Sequence, residues 1–150
     1  MNIYESIDLF MKNPKELHHE LISCVEGHVI YDDLNDPTKI GVYLFNLKPE
    51  FRRKGILTKF INKLSDIENI DEIYFFQCHV QMRVILLTMI FKGRYFTNLN
   101  SGKICWYRKD HEKYDHDKSI QIYNLLLPAL KIPNGDLVLF LYTNNLCKYV

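Results

Sequence analysis

Hydrophobic and polar positions follow two different periods along this chain, and the switches between them mark its elements. Ile3, Ile7, Phe10 and Met11 recur at helical spacing, which predicts a helix over Ile3–Lys12 that ends at Asn13-Pro14. "ELISCVEGHVIYDD" (20–33) reads as two short strands about a Glu26-Gly27 turn, glycine supplying the positive φ that tight hairpins need. A loop over Leu34–Thr38 leads into "KIGVYLFNL" (39–47), whose β-branched and aromatic residues suit a central strand. Pro49 has no N–H for a ladder, so the chain leaves the sheet there. From Gly55 the period lengthens: Ile56, Leu57, Phe60, Ile61 and Leu64 share one helical face, opposite Lys59, Asn62, Lys63 and Asp66. "EIYFFQC" (72–78) is the next strand, and strand, basic loop, helix and strand together make a βαβ unit.

Beyond it the pattern predicts a second helix over about Gln81–Lys92 and a hairpin of "YFTN" and "KICWYR" joined through 99–102. "KDHEKYDHDK" is a polar spacer, Asp117 is placed to cap a Leu-rich helix stopping near Pro128, and "GDLVLFLY" reads as a final strand. The expected architecture is α/β in the α+β sense. A mixed, mostly antiparallel central sheet is flanked by helices over residues 1–109, and a helix–strand extension over 110–150 packs on it in a single domain.

Composition narrows the function classes. The chain has 150 residues, 47% hydrophobic and 25% charged, enough for a real core and against wholesale disorder. A net charge of +1 provides no overall field for nucleic acid or membrane, so any electrostatic role needs a local patch. Apolar runs such as "VILLTMIF" are too short to span a bilayer, and the start has no basic segment followed by an apolar run, so a cytoplasmic protein is expected. The four cysteines, Cys24, Cys78, Cys105 and Cys147, contain no CxxC and read as reduced, mostly buried thiols. A lone alanine, Ala129, among abundant Ile, Lys, Asn and Tyr hints at an AT-rich genome, viral or microbial.

The local patch is in "LKPEFRRKGILTKFINKL" (47–64), where Arg52, Arg53, Lys54 and Gly55 precede the amphipathic helix. Backbone N–H groups at a helix start are unsatisfied and the helix dipole adds positive potential, which suits a phosphate. Glycine lets that phosphate approach the backbone, and arginine offers forked donors for its oxygens. The spacing is neither GxxxxGK[ST] nor GxGxxG, which disfavours nucleoside triphosphates and dinucleotides.

On these residues the chain resembles the GNAT superfamily of acetyl-CoA-dependent N-acyltransferases. The family signature, a strand ending in apolar-x-Pro and then Arg/Gln-x-x-Gly-x-Gly/Ala opening a helix, is similar to Leu47-Lys48-Pro49 followed by Arg52-x-x-Gly55-x-Leu57. The preceding strands, the following strand, helix and hairpin, and "IFKGRYF" (90–96) resemble the family's order over roughly residues 15–108. The resemblance implies that the backbone of Phe45, Asn46 and Leu47 pairs with the pantetheine arm of acetyl-CoA. Arg52, Arg53, Lys54, Gly55, Ile56, Leu57 and Thr58 would cradle its pyrophosphate. The strands before and after the helix would splay to admit the acetyl group, and an acceptor amine on a small molecule or protein would attack the thioester. The chain departs from the family at Leu57, at Gln81-Met82 where an Asn is usual, and in having no tyrosine between Tyr74 and Tyr95, Met89 standing there instead. Cofactor binding is therefore better supported than catalysis.

Two residues are candidate general bases: His79, whose unperturbed pKa of about 6.5 suits the role, and Glu50; a lone strand-end histidine is more often structural. Cys78 and His79 form no dyad, since adjacent strand residues face opposite ways. His111 and His116 lack ligand spacing, His18-His19 reads as a polar edge, and no metal site is expected. Trp106 reads as a core or hairpin aromatic. Beside N-acyl transfer stand two other readings. One is a catalytically degenerate protein-binding module of the same fold, a viral effector for example. The other, ranked last, is salt-sensitive nucleic-acid binding by the basic loop with Lys59 and Lys63. A homodimer through the terminal strand "LVLFLY" is also compatible with the sequence.

Overall fold

The computed structural model describes residues 1–76, 78–89 and 103–150, and the backbone of 95–100. Gln77, the 90–94 part of the "IFKGRYF" junction and residues 101–102 of the hairpin turn lie outside the described residues. The chain divides into two compact units, Met1–Gln77 and Cys78–Val150.

The first unit opens with α1 (Ile3–Lys12), begun by a capping box in which Asn2 Oδ1 accepts from the Glu5 N–H at 2.8 Å and the Glu5 carboxylate accepts from the Asn2 N–H. Ile3, Ile7 and Phe10 are buried, as their spacing predicts, and the Phe10 ring stacks on Tyr31 at 4.8 Å. Strands β1 (Leu21–Ser23), β2 (Gly27–Asp32) and β3 (Lys39–Leu47) form an antiparallel meander. A register shift at Ile30/Tyr31 marks a bulge against the middle of β3. Helix α2 (Ile56–Ser65) crosses over to β4 (Glu72–Phe75), which pairs parallel with β3, completing the βαβ unit expected from the sequence. Phe60, Ile61 and Leu64 of α2 are buried, and Phe60 lies against Phe45 of β3 at 4.6 Å between ring centroids. At the open end of β4, the buried Glu72 carboxylate is held by Lys39 Nζ at 2.9 Å, the pairing that a buried charge requires.

The second unit contains α3 (Val80–Leu87), the hairpin β5 (Tyr95–Asn100) and β6 (Lys103–Arg108), α4 (His116–Leu126) and α5 (Asn134–Thr143), with a 3-10 turn over Leu127–Lys131 carrying Pro128. Ile104, Cys105, Trp106 and Tyr107 are buried in succession, so both faces of β6 are covered and Trp106 is a core residue. The segment read as a final strand is α5: Leu137 and Leu141, one helical turn apart, are buried, while Val138, Leu139 and Tyr142 are exposed. An apolar run without alternation carries no period to separate helix from strand. The extension is therefore helical, and the strand invoked for dimer pairing does not form. The cap of α4 is Asp115, whose side chain accepts from the Lys118 N–H at 3.0 Å; Asp117 sits in the first turn. Among the described residues no helix is long and apolar enough to cross a membrane.

Candidate functional site: the turn between β3 and α2

Leaving β3, the chain makes a single 3-10 turn over Pro49–Phe51, takes a left-handed conformation at Arg53 (φ 61) and another at Gly55 (φ 77), and enters α2. Glu50, Arg52, Arg53, Lys54 and Gly55 are all exposed, and Ile56, Leu57 and Thr58 are half-buried. A Cβ at Gly55 would meet nothing within 4 Å, so its surface is open to an incoming group. Gly55 is the N-cap of α2 and offers no side-chain cap. Asn2, His79 and Asp115 instead cap α1, α3 and α4 with their side chains, while α5, entered from Pro133, shares with α2 the lack of a side-chain cap. The first N–H groups of α2 thus face outward beside three basic residues, an arrangement that favours an anion.

Arg52 Nε donates to the Leu47 carbonyl at 3.0 Å, tying the basic turn to the end of β3. The parallel β3–β4 partners run from Lys39–Glu72 to Val42–Phe75, whereas β3 continues to Leu47. Lys48 N–H donates to the Glu26 carbonyl at 2.8 Å on the β2 side. Alternation along the strand then turns the backbone groups of Phe45 and Leu47 to the opposite edge, and those of Asn46 to β2. The Arg52 contact to the Leu47 carbonyl agrees with that direction. Phe45, Leu47 and the basic turn are thus brought together at one end of the first unit; the Asn46 backbone serves the meander.

His79 lies in the second unit as the N-cap of α3, its Nδ1 accepting from the Met82 N–H at 3.4 Å. Burial pushes the neighbouring Cys78 thiol up to about 11, so it is no thiolate nucleophile near neutral pH. Cys24 and Cys105 are buried and Cys147 is exposed. In the spacer, His111 Nδ1 accepts from the Lys113 N–H and its ring lies 4.8 Å from that of Tyr107, while His116 Nδ1 lies 2.7 Å from the Tyr114 hydroxyl.

The structure also gathers residues that the linear pattern leaves apart. His18 and His19 stack at 4.1 Å, and both reach Asp32 at the end of β2. Their meeting follows from the backbone bond of His19 N–H to the Tyr31 carbonyl at 3.0 Å, which sets His19 beside Asp32. The available sequence signal was a His-His pair ahead of one strand and an Asp-Asp pair ending the next.

Comparison of the chain with protein-family profiles, with curated proteins and with solved structures finds no match.

Proposed function

We propose that the first unit binds acetyl-CoA and that the protein transfers its acyl group to a primary amine on a small molecule or protein. The observation that carries this reading is the start of α2: exposed, glycine-capped, without a side-chain cap, and preceded by Arg52, Arg53 and Lys54. In this reading the pyrophosphate accepts from the N–H groups of Ile56, Leu57 and Thr58, with the arginines adding charge-assisted bonds. The pantetheine arm extends along the Phe45–Leu47 edge, beyond the last β3–β4 partner pair. A backbone N–H on that edge polarises the thioester carbonyl, the amine nitrogen bonds to the carbonyl carbon, and the C–S bond breaks to release CoA thiolate. Glu50, exposed in the turn after β3, is the candidate of the first unit to take the amine proton. A tyrosine acid is not invoked, since the departing thiolate takes its proton from water.

A second reading, a protein-binding module of the same fold that has lost catalysis, is favoured by α5, where Val138, Leu139 and Tyr142 are 62%, 67% and 74% exposed. Calorimetric titration with acetyl-CoA, beside an Arg52→Ala/Gly55→Glu variant, tests the first. Micromolar binding lost in the variant supports it, and absence of binding at millimolar cofactor overturns it. Tight binding without transfer to any amine selects the second.

A further inference from the structure

We infer that His18, His19 and Asp32 form a binding site for a divalent transition-metal ion of the zinc class, on the first unit. Successive residues of an extended chain point to opposite sides, so two adjacent histidines cannot ordinarily serve one ion. Here His19 adopts a left-handed backbone (φ 58), which brings both rings to the same side, stacked at 4.1 Å. That conformation is unfavourable for a residue with a Cβ, and three contacts hold it. The His19 N–H donates to the Tyr31 carbonyl at 3.0 Å, its ring lies 4.9 Å from that of Tyr43, and its Nε2 is 3.0 Å from Asp32 Oδ2.

The donor atoms converge. His18 Nδ1 is 3.1 Å from Asp32 Oδ1, and the ligand atoms of His18, His19 and Asp32 all lie within 4.8 Å of one another. Around a tetrahedral zinc with bonds of about 2.0–2.1 Å, ligand atoms stand about 3.3 Å from each other, so the ion can enter with small side-chain adjustments. The carboxylates are already positioned from behind: Asp32 Oδ1 accepts from the Leu34 N–H at 2.8 Å and Asp33 Oδ1 from the Asn35 N–H at 3.1 Å. Asp33 Oδ1, 3.1 Å from His18 Nδ1, adds negative charge beside the site. Both imidazoles are partly exposed, 37% and 48%, which leaves a path for the ion and a coordination position for water. Two imidazoles and a carboxylate select zinc, copper or nickel over magnesium and calcium, which prefer all-oxygen shells.

The test uses the full chain without an affinity tag. Titration with Co²⁺ should give the visible absorption of a four-coordinate N/O site at one equivalent, and Zn²⁺ should displace it. His18→Ala, His19→Ala and Asp32→Asn should each weaken binding tenfold or more, with circular dichroism confirming the fold, while a His116→Ala variant should bind as the natural chain does. Nitrogen-15 spectra of the natural chain with and without Zn²⁺ should shift His18 Nδ1 and His19 Nε2, a readout independent of any variant's folding. Absence of binding at equimolar tens of micromolar Zn²⁺, or shifts confined to other histidines, would overturn the assignment.

Discussion

The Arg52 side chain donates through Nε to the carbonyl of Leu47 at 3.0 Å, so the first cation of the basic turn is fixed to the strand that precedes it. One edge of the guanidinium is used in that contact, and the remaining N–H groups stay available to an anion at the start of α2. Lysine has no Nε–H in a planar fork and cannot do both. Arg52→Lys is expected to weaken acetyl-CoA binding about tenfold, and Arg52→Ala by about 10–100-fold, the range of one lost charge-assisted bond. Because Arg52 is exposed, neither change should move the stability by more than about 0.5 kcal/mol. Calorimetry and urea unfolding on the same samples check both halves. A variant that loses stability with affinity would make the clasp structural only.

Gly27 and Gly55 resist substitution for different reasons. A Cβ at Gly27 would stand 1.9 Å from the Asn46 carbonyl oxygen, inside the β2–β3 ladder, where only backbone movement gives relief. Gly27→Ala should cost about 3 kcal/mol or more and shift the melting temperature sharply. At Gly55 the space is open and only the left-handed φ of 77° opposes a side chain, so Gly55→Ala should cost about 1–2 kcal/mol. Differential scanning calorimetry of the two variants checks the order; equal losses would contradict it.

Asp36 carries a pH signature. Thr38 donates to its Oδ1 twice, through the hydroxyl at 2.7 Å and the backbone N–H at 2.8 Å, and these bonds hold the carboxyl below its usual 3.8. A carboxylate whose folded value is depressed contributes stability above the unfolded value, and that contribution disappears as pH falls through the folded one. The effect is therefore complete above about pH 3.8 and fades in more acidic solution. Thr38→Val removes the larger, hydroxyl contribution and should raise the Asp36 titration midpoint. Carbon-detected NMR titration of the aspartates reads it directly, and an unmoved midpoint would reject the cause.

Much of the first unit was legible in the sequence because its periods contrast. Ile3, Ile7 and Phe10 fall on one helical stripe, β2 buries Gly27, Val29 and Tyr31 in alternation, and Phe60, Ile61 and Leu64 return to helical spacing. Gly55 was legible too, as the residue from which the helical period begins after the break at Pro49. Three features were hidden for physical reasons. Residues 137–142 are nearly all apolar, so helix and strand share one pattern, and only burial of Leu137 and Leu141 separates them. The His18–His19–Asp32 grouping depends on the strand register and on one left-handed residue, neither written in local composition. His79 looked like a strand-end histidine and serves as a helix cap, a role a histidine acceptor can fill but rarely signals.

The choice between Asp115 and Asp117 shows how closely spaced carboxylates divide their work, and it is open to measurement. Asp115 has the extended backbone of an N-cap (φ −124, ψ 94), and its Oδ1 takes the Lys118 N–H while its carbonyl takes the Ser119 hydroxyl at 2.8 Å. Asp117 is already inside the helix and acts on the dipole alone. Asp115→Ala should therefore destabilise the protein by about 1 kcal/mol, a loss that Asp115→Asn or Asp115→Ser largely restores because either side chain can accept the same N–H. Asp117→Ala should cost about 0.3–1 kcal/mol at low ionic strength, and that effect should shrink toward zero in molar salt as the charge is screened. A hydrogen-bonded cap is less sensitive to salt, so the loss in Asp115→Ala should mostly persist there. Urea midpoints for the variants at low and high salt distinguish the two residues. A salt-resistant loss at Asp117, with Asp115 neutral, would return the cap to the position the sequence first suggested.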